Sequence, residues 1–215
     1  MLTFHIITLF PESLASYLRA SIVARAIKNK KIRIKTYNPY DFLPVKERAD
    51  ARPYGGGPGM VLRPEPILKA VAAIKLKAKS SKLKAILFSP SGKQFTNQIA
   101  VTWAKKYRDI ILIAGRYEGV DTRVGKILKA EAVSVGPYVL TGGELPALVV
   151  IDTTARQIPG VLGKNESVEE RRVASAEIYT RPEILKYKGK NYKVPKVLLS
   201  GHHRKIDHWR RNKQK

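Results

Sequence analysis

Segments with the apolar continuity of buried strands alternate with segments of helical spacing over the first three quarters of the chain, and that alternation leaves few folds open. Leu2–Leu9 reads as a first strand, and Ser13–Ile27 as a helix with Leu14, Leu18, Ile22 and Ala26 on one face. Ile32–Tyr37 reads as a strand, followed by NPYDFLP as loop, and Pro66–Lys77 as a helix with Ile67, Val71 and Ile74 inward. Lys84–Phe88 (strand), Phe95–Tyr107 (helix), Asp109–Ala114 (strand), Val120–Leu128 (helix), Glu131–Val135 (strand) and Leu145–Ile158 (helix) complete the series. Strands separated by helices of about ten residues form a mostly parallel sheet covered on both faces. The expected class is α/β.

Composition narrows the partner. Hydrophobic residues make up 44%, enough for a core, yet no apolar run approaches the roughly 18 residues that span a bilayer. MLTFHIITLFPESL lacks the charged start and cleavage site of a secretory signal, and the absence of cysteine excludes disulfides and thiolate metal sites. The expectation is a cytoplasmic protein without a membrane partner. The 41 Lys and Arg against 17 Asp and Glu give a net charge of +24, which points to a polyanion, nucleic acid above all. One cluster runs from Lys69 to Lys84 with no acid between Lys69 and Lys84, and a second fills the chain from Arg181 onward.

Three glycine-bearing stretches follow strands: SPSG (Ser89–Gly92), GRYEGVD (Gly115–Asp121) and GPYVLTGGELP (Gly136–Pro146). Open α/β sheets bind ligands at such strand ends, so one shared pocket is expected. None matches a phosphate loop: GVDTRVGKI has one residue too many and Ile127 where Ser or Thr is needed, and no GxGxxG follows a strand. A fourth stretch, RADARPYGGGPGM, has four glycines and two prolines between Pro53 and Gly59 and reads as a linker or a substrate loop. The candidate polar groups are Glu118, Asp121, Glu144, Asp152 and Arg156, and the histidines show no metal spacing. The residues alone indicate a nucleic-acid-associated α/β protein with a nucleoside-like pocket.

IITLFPE, RPYGGGPGMV, SPSG, GRYEGVD, VGPYVLTGGELPA, RQIPGVLG, YTRPE and VPKVLLSGHH, in that order, resemble the TrmD family of bacterial tRNA (guanine-N1)-methyltransferases, of the SPOUT class. The resemblance implies a SPOUT-type, mostly parallel sheet with a deep trefoil knot, and a short basic C-terminal extension. The implied domains are 1–163 (methyltransferase with knot), 164–178 (linker) and 179–215 (a truncated basic tRNA-binding segment). It implies S-adenosylmethionine bound by Gly115, Val135, Gly136, Pro137, Tyr138, Val139 and Leu140, with Ser89, Pro90, Tyr117, Gly142 and Gly143 close by. The implied reaction methylates N1 of the guanosine immediately following the anticodon in tRNA. Asp50, Gly59 and Glu118 would hold the guanine and Arg156 would stabilise its O6. The resemblance further implies a homodimer with active sites shared between protomers, assisted by Mg2+.

Two departures stand out. The family places its general base, an aspartate, in the linker; here the linker reads ESVEERRV, and register from PGVLG puts Arg171 at that position. Glu170, or its neighbour Glu169, is the expected replacement; the alternative is a non-catalytic RNA-binding SPOUT protein that has lost its base. The chain also stops at WRRNKQK, where the family continues into a helical tRNA-gripping domain.

Overall fold

The structure, a computed structural model, describes residues 1–78, 82–162 and 177–213. It divides into two compact units, Met1–Leu162 and Gly163–Lys215.

The first unit is built on five parallel strands: β1 (Leu2–Ile7), β2 (Ile32–Tyr37), β5 (Leu83–Gln94), β6 (Asp109–Ile113) and β7 (Glu131–Ser134), in the spatial order β2-β1-β6-β5-β7. Two short strands, β3 (Asp50–Ala51) and β4 (Val61–Leu62), pair antiparallel outside this sheet. The helices are α1 (Ala15–Leu18), α2 (Ser21–Lys28), α3 (Pro64–Ala78), α4 (Asn97–Lys106), α5 (Thr122–Leu128) and α6 (Glu144–Ala155).

Side-chain alternation along the strands divides the core in two. Leu2, Phe4 and Ile6 of β1 pack with Ile86, Ile110 and Leu112 against α2, α4 and α6. Ile7, Ala85, Ile111 and Ile113 face the other way, against Ile67, Val71 and Ile74 of α3 and Val124 of α5. All six residues of β1 and all five of β6 are buried, as parallel strands covered on both faces must be. Polar groups within this apolar layer are paired: His5 Nε2 contacts Asp109 Oδ1 at 2.9 Å and its Nδ1 lies 3.2 Å from the Tyr37 hydroxyl.

Two expected elements differ. The helix expected over Ser13–Ile27 is a 3-10 turn (Pro11–Leu14) followed by α1 and α2, because Ala20 is extended (ψ 147) and Ser21 is left-handed (φ 50). The restart turns Val23 and Ala26, not Ile22, into the core. The strand expected to end at Phe88 continues to Gln94, with a register shift against β7 between Phe88 and Lys93, so SPSG is a bulge inside a strand and not a loop after one. A Cβ on Gly92 would lie 2.5 Å from the Val133 nitrogen; only glycine lets the bulge close onto β7.

The second unit, over its described residues, carries no fully buried side chain. β8 (Ile184–Tyr187) and β9 (Lys190–Lys193) form a hairpin turning at Lys188 (φ 47) and Gly189 (φ 73), the two positive φ values of a tight two-residue turn. Two helices, α7 (Lys196–Leu199) and α8 (His203–Asn212), follow. Glu177 accepts from Tyr179 (2.9 Å) and from Lys213 (2.8 Å), and the Tyr179 ring lies 6.3 Å from that of Trp209.

Candidate active site

The C-terminal ends of β5, β6 and β7 sit side by side, and the segments leaving them press together backbone to backbone. Gly143 donates its N–H to the Gly115 carbonyl at 2.9 Å, and Arg116 bridges to Gly142. A Cβ on Gly143 would stand 2.5 Å from the Ala114 Cα, so glycine is the only residue this crossing accommodates. A pocket opens beside it, lined by Phe88, Ser89, Pro90, Leu140 and Pro146 together with Ser134–Gly136 and Gly142–Gly143. Its lining is more apolar than polar, as small-molecule sites are. A contiguous depression reaches Gly115, Tyr117, Glu118 and Val139, so all three glycine-bearing stretches border one region. Pro137 and Tyr138 are exposed at its rim, and the Tyr138 hydroxyl donates to the Val135 carbonyl at 3.2 Å.

Beneath the pocket lies a buried polar chain. Thr8, just past the end of β1, accepts from the Phe10 N–H (3.0 Å) and donates its hydroxyl to Glu144 Oε1 (2.7 Å). Glu144, only 4% exposed, pairs through Oε2 with Arg116 Nε at 3.0 Å, an ion pair whose N–H is not aligned as a hydrogen bond. The Arg116 guanidinium in turn covers the Phe10 ring at 4.7 Å. A side chain on Gly142 would collide with both Arg116 and Glu144. Glu144 was among the sequence candidates, but Thr8 and Phe10 were not; no local pattern announces partners separated by 136 residues.

The PYGGGPGM stretch is anchored at both ends. Asp50 in β3 is 3% exposed and accepts from Arg48 at 2.9 Å, leaving its Oδ1 without a partner. At the other end Glu118 donates its N–H to the Met60 carbonyl, and Leu62 donates to the Gly119 carbonyl, both at 2.9 Å. Gly59 (φ 83) lies against the Glu118 side chain: a Cβ there would come within 2.6 Å of Oε1. Gly59 and Glu118 thus meet at the loop that borders the pocket, while the Asp50 carboxylate pairs only with Arg48 and stands apart from the pocket lining. Asp121 has a different task. It caps α5, accepting from the Arg123 N–H and its guanidinium at 2.9 and 2.6 Å, and Arg123 holds its carboxyl below the usual range.

Arg156 is not at this pocket. It ends α6, whose twelve residues separate it from Glu144 by about 18 Å at 1.5 Å per residue. Glu170, Glu169 and Arg171 lie outside the described residues.

A sequence profile described as tRNA (Guanine-1)-methyltransferase TrmD matches residues 2–215. The chain belongs to this methyltransferase family. Similar methyltransferases include the tRNA (guanine-N(1)-)-methyltransferase of Pseudoalteromonas atlantica, 43% identical over 96% of this chain and 78% of that protein. The enzyme of the same name from Clostridioides difficile is 43% identical over 97% of this chain and 90% of its own. The crystal structure of tRNA (m1G37) methyltransferase from Aquifex aeolicus superposes with a TM-score of 0.78 at 38% identity, covering 97% of this chain and 87% of the other. The α/β architecture with a mostly parallel sheet is therefore the methyltransferase fold of that neighbour.

Proposed function

We propose that the protein transfers a methyl group from S-adenosylmethionine to N1 of the guanosine immediately following the anticodon in tRNA. The observation that carries this reading is the convergence of the SPSG bulge and the two glycine-bearing loops on one largely apolar pocket and the depression continuous with it, in a chain matched by the family over its length. Bound there, S-adenosylmethionine supplies an electrophilic methyl carbon on a sulfonium. The Gly136 and Gly142–Gly143 backbone fits that role, since side chains at these positions would meet Tyr138, Arg116 or Ala114. The close crossing of residues 142–143 over 114–116 supports a trefoil knot, with the chain threaded at that crossing.

Guanine N1 carries a proton at neutral pH, so transfer needs a base. Glu170 would take that proton, leaving the N1 electron pair free to accept the methyl group that S-adenosylmethionine would supply. Negative charge gathering on O6 is met by Arg156. Asp50 and Glu118, with the close approach at Gly59, hold the base edge.

Arg156 reaches the reacting base from a second protomer. Leu145 and Val149 are 59% and 43% exposed at i and i+4 on α6, a solvent-facing apolar stripe that Asp152 and Arg156 continue. In a two-fold contact the same surface meets itself, and antiparallel packing of α6 on its copy sets the C-terminal Arg156 of one protomer beside the partner's pocket end. Among the described residues no group of three or more His, Asp or Glu side chains is gathered to hold a metal ion. No described helix is long and apolar enough to cross a membrane, which accords with a cytoplasmic enzyme acting on tRNA.

The test is single-turnover transfer from labelled S-adenosylmethionine to an unmodified tRNA transcript with guanosine after the anticodon, against one with adenosine there. Guanosine-dependent labelling is expected. Tight binding of the transcript with no transfer would replace this reading with the non-catalytic one that Arg171 suggests.

A further inference from the structure

In a parallel sheet every helix returns the chain to the same edge, so the residues before each strand form a row. Here that row is cationic. Lys31 precedes β2, Arg108 precedes β6, Lys82 precedes β5, and Lys129 stands two residues before β7. Backbone bonds hold the row in register: Leu2 N–H to the Lys31 carbonyl (3.4 Å), Thr3 N–H to Arg108 (2.8 Å) and Arg108 N–H to Lys82 (2.9 Å). Neighbouring strands are about 4.8 Å apart, so the row extends for roughly 20 Å. The helix ends behind it add charge: Lys28 and Lys30 at α2, Lys105 and Lys106 at α4, all exposed. Between the ends of α2, α4 and α6 lies an open depression walled by Lys30, Lys31, Tyr107, Arg108 and Pro159.

The acids at this edge are committed. Asp109 is buried against His5, and Glu131 is paired with Lys84 at 2.5 Å. A helix C-terminus carries only about half a negative charge, so one cation would suffice at each; with the residues that follow them α2 brings Arg25, Lys28, Lys30 and Lys31 and α4 brings Lys105, Lys106 and Arg108. The excess is not helix compensation.

We infer that this edge is a second RNA-contacting surface, taking the phosphodiester backbone of the tRNA outside the base site of its own protomer. It stands a strand length, about 20 Å, from the pocket at the opposite end of the same sheet, so it is no part of that chain's own base site. It does adjoin the segment carrying Arg156: a Cβ on Gly160 would come within 2.9 Å of Lys31 Nζ. An RNA whose target base meets Arg156 in the partner's pocket passes this edge. The inference rests on tRNA being the substrate. It assigns to the charge a positioning role without sequence readout, since phosphate contacts fix orientation and not base identity.

The test uses the full chain and the triple variant Lys30→Ala, Lys31→Ala, Arg108→Ala. Binding of an unmodified tRNA transcript is measured over a salt series, with single-turnover transfer at saturating tRNA as the independent reading of activity. The variant should bind about tenfold or more weakly near physiological salt. The slope of log affinity against log salt should fall by about 2 to 3, close to one per lost phosphate contact. Its thermal midpoint and its saturated transfer rate should match the parent. Parental affinity and slope in the variant would overturn the inference, as would parental tRNA binding with loss of binding to vesicles rich in anionic lipid. Absence of transfer by the parent, with the slope change intact, would count against the methyltransferase reading and leave the surface standing.

Discussion

At residue scale the site depends on a few atoms that leave no room. Gly143→Ala places a methyl against the Ala114 Cα. One of two backbones must move, at a cost of about 1–3 kcal/mol for overpacking. We expect a lowered thermal midpoint and at least tenfold weaker binding of S-adenosylmethionine by calorimetry. Glu144 sits where three segments meet, accepting a hydrogen bond from the Thr8 hydroxyl and pairing in charge with Arg116. Thr8→Val strips a buried carboxylate of its hydroxyl donor and should cost about 1–3 kcal/mol by denaturant titration, with Thr8→Ser close to the parent. Glu170→Gln should reduce single-turnover methyl transfer by orders of magnitude while leaving cofactor affinity unchanged. Full activity in that variant would move the base elsewhere in the linker.

At the scale of elements, α6 links three functions. Its first turn floors the pocket, its inner face fills the core with Ala147, Val150 and Ile151, and its last residue leads to Arg156. That length is why one protomer cannot bring Arg156 to its own pocket. Mixing two inactive variants tests the point. Arg156→Ala and Glu118→Ala, unfolded and refolded together, should recover about one quarter of parental activity if the sites are shared, because half the dimers are mixed and each mixed dimer has one intact site. Recovery of none would put Arg156 and Glu118 in the same protomer's site. The bulge in β5 is a second element-scale device: by carrying the strand past Phe88 it holds Ser89 and Pro90 rigidly over the pocket.

For the whole molecule, charge and pH set the limits. His5 is 2% exposed, and burial pushes its imidazole below the ordinary value near 6.5 despite the neighbouring Asp109. The unfolded chain therefore binds a proton there before the folded one does. Stability contributed by the neutral ring is fully present above about pH 6.5 and is lost as pH falls through the folded-state value. Denaturant midpoints should decline below pH 6.5, and His5→Gln should flatten that decline. The +24 charge has no such local explanation within the fold: its cations gather at the strand-entry edge and in the C-terminal segment, and a salt-sensitive grip on RNA is what such a distribution does.

The sequence by itself determined the α/β class, the order and limits of most elements, and the stretches that border the pocket. Apolar periodicity and glycine–proline punctuation are local properties, and they survive without knowledge of neighbours. Tertiary structure alone decided what depends on residues distant in sequence. It broke the expected Ser13–Ile27 helix at Ser21 and turned SPSG from a loop into a bulge closed by Gly92 against β7. It gave Asp121 to a helix cap and joined Thr8 to Glu144, and it set Arg156 a helix length from the pocket. Each of these follows from a contact whose partners lie on different segments or from the rise of a packed helix, and a one-dimensional pattern carries neither.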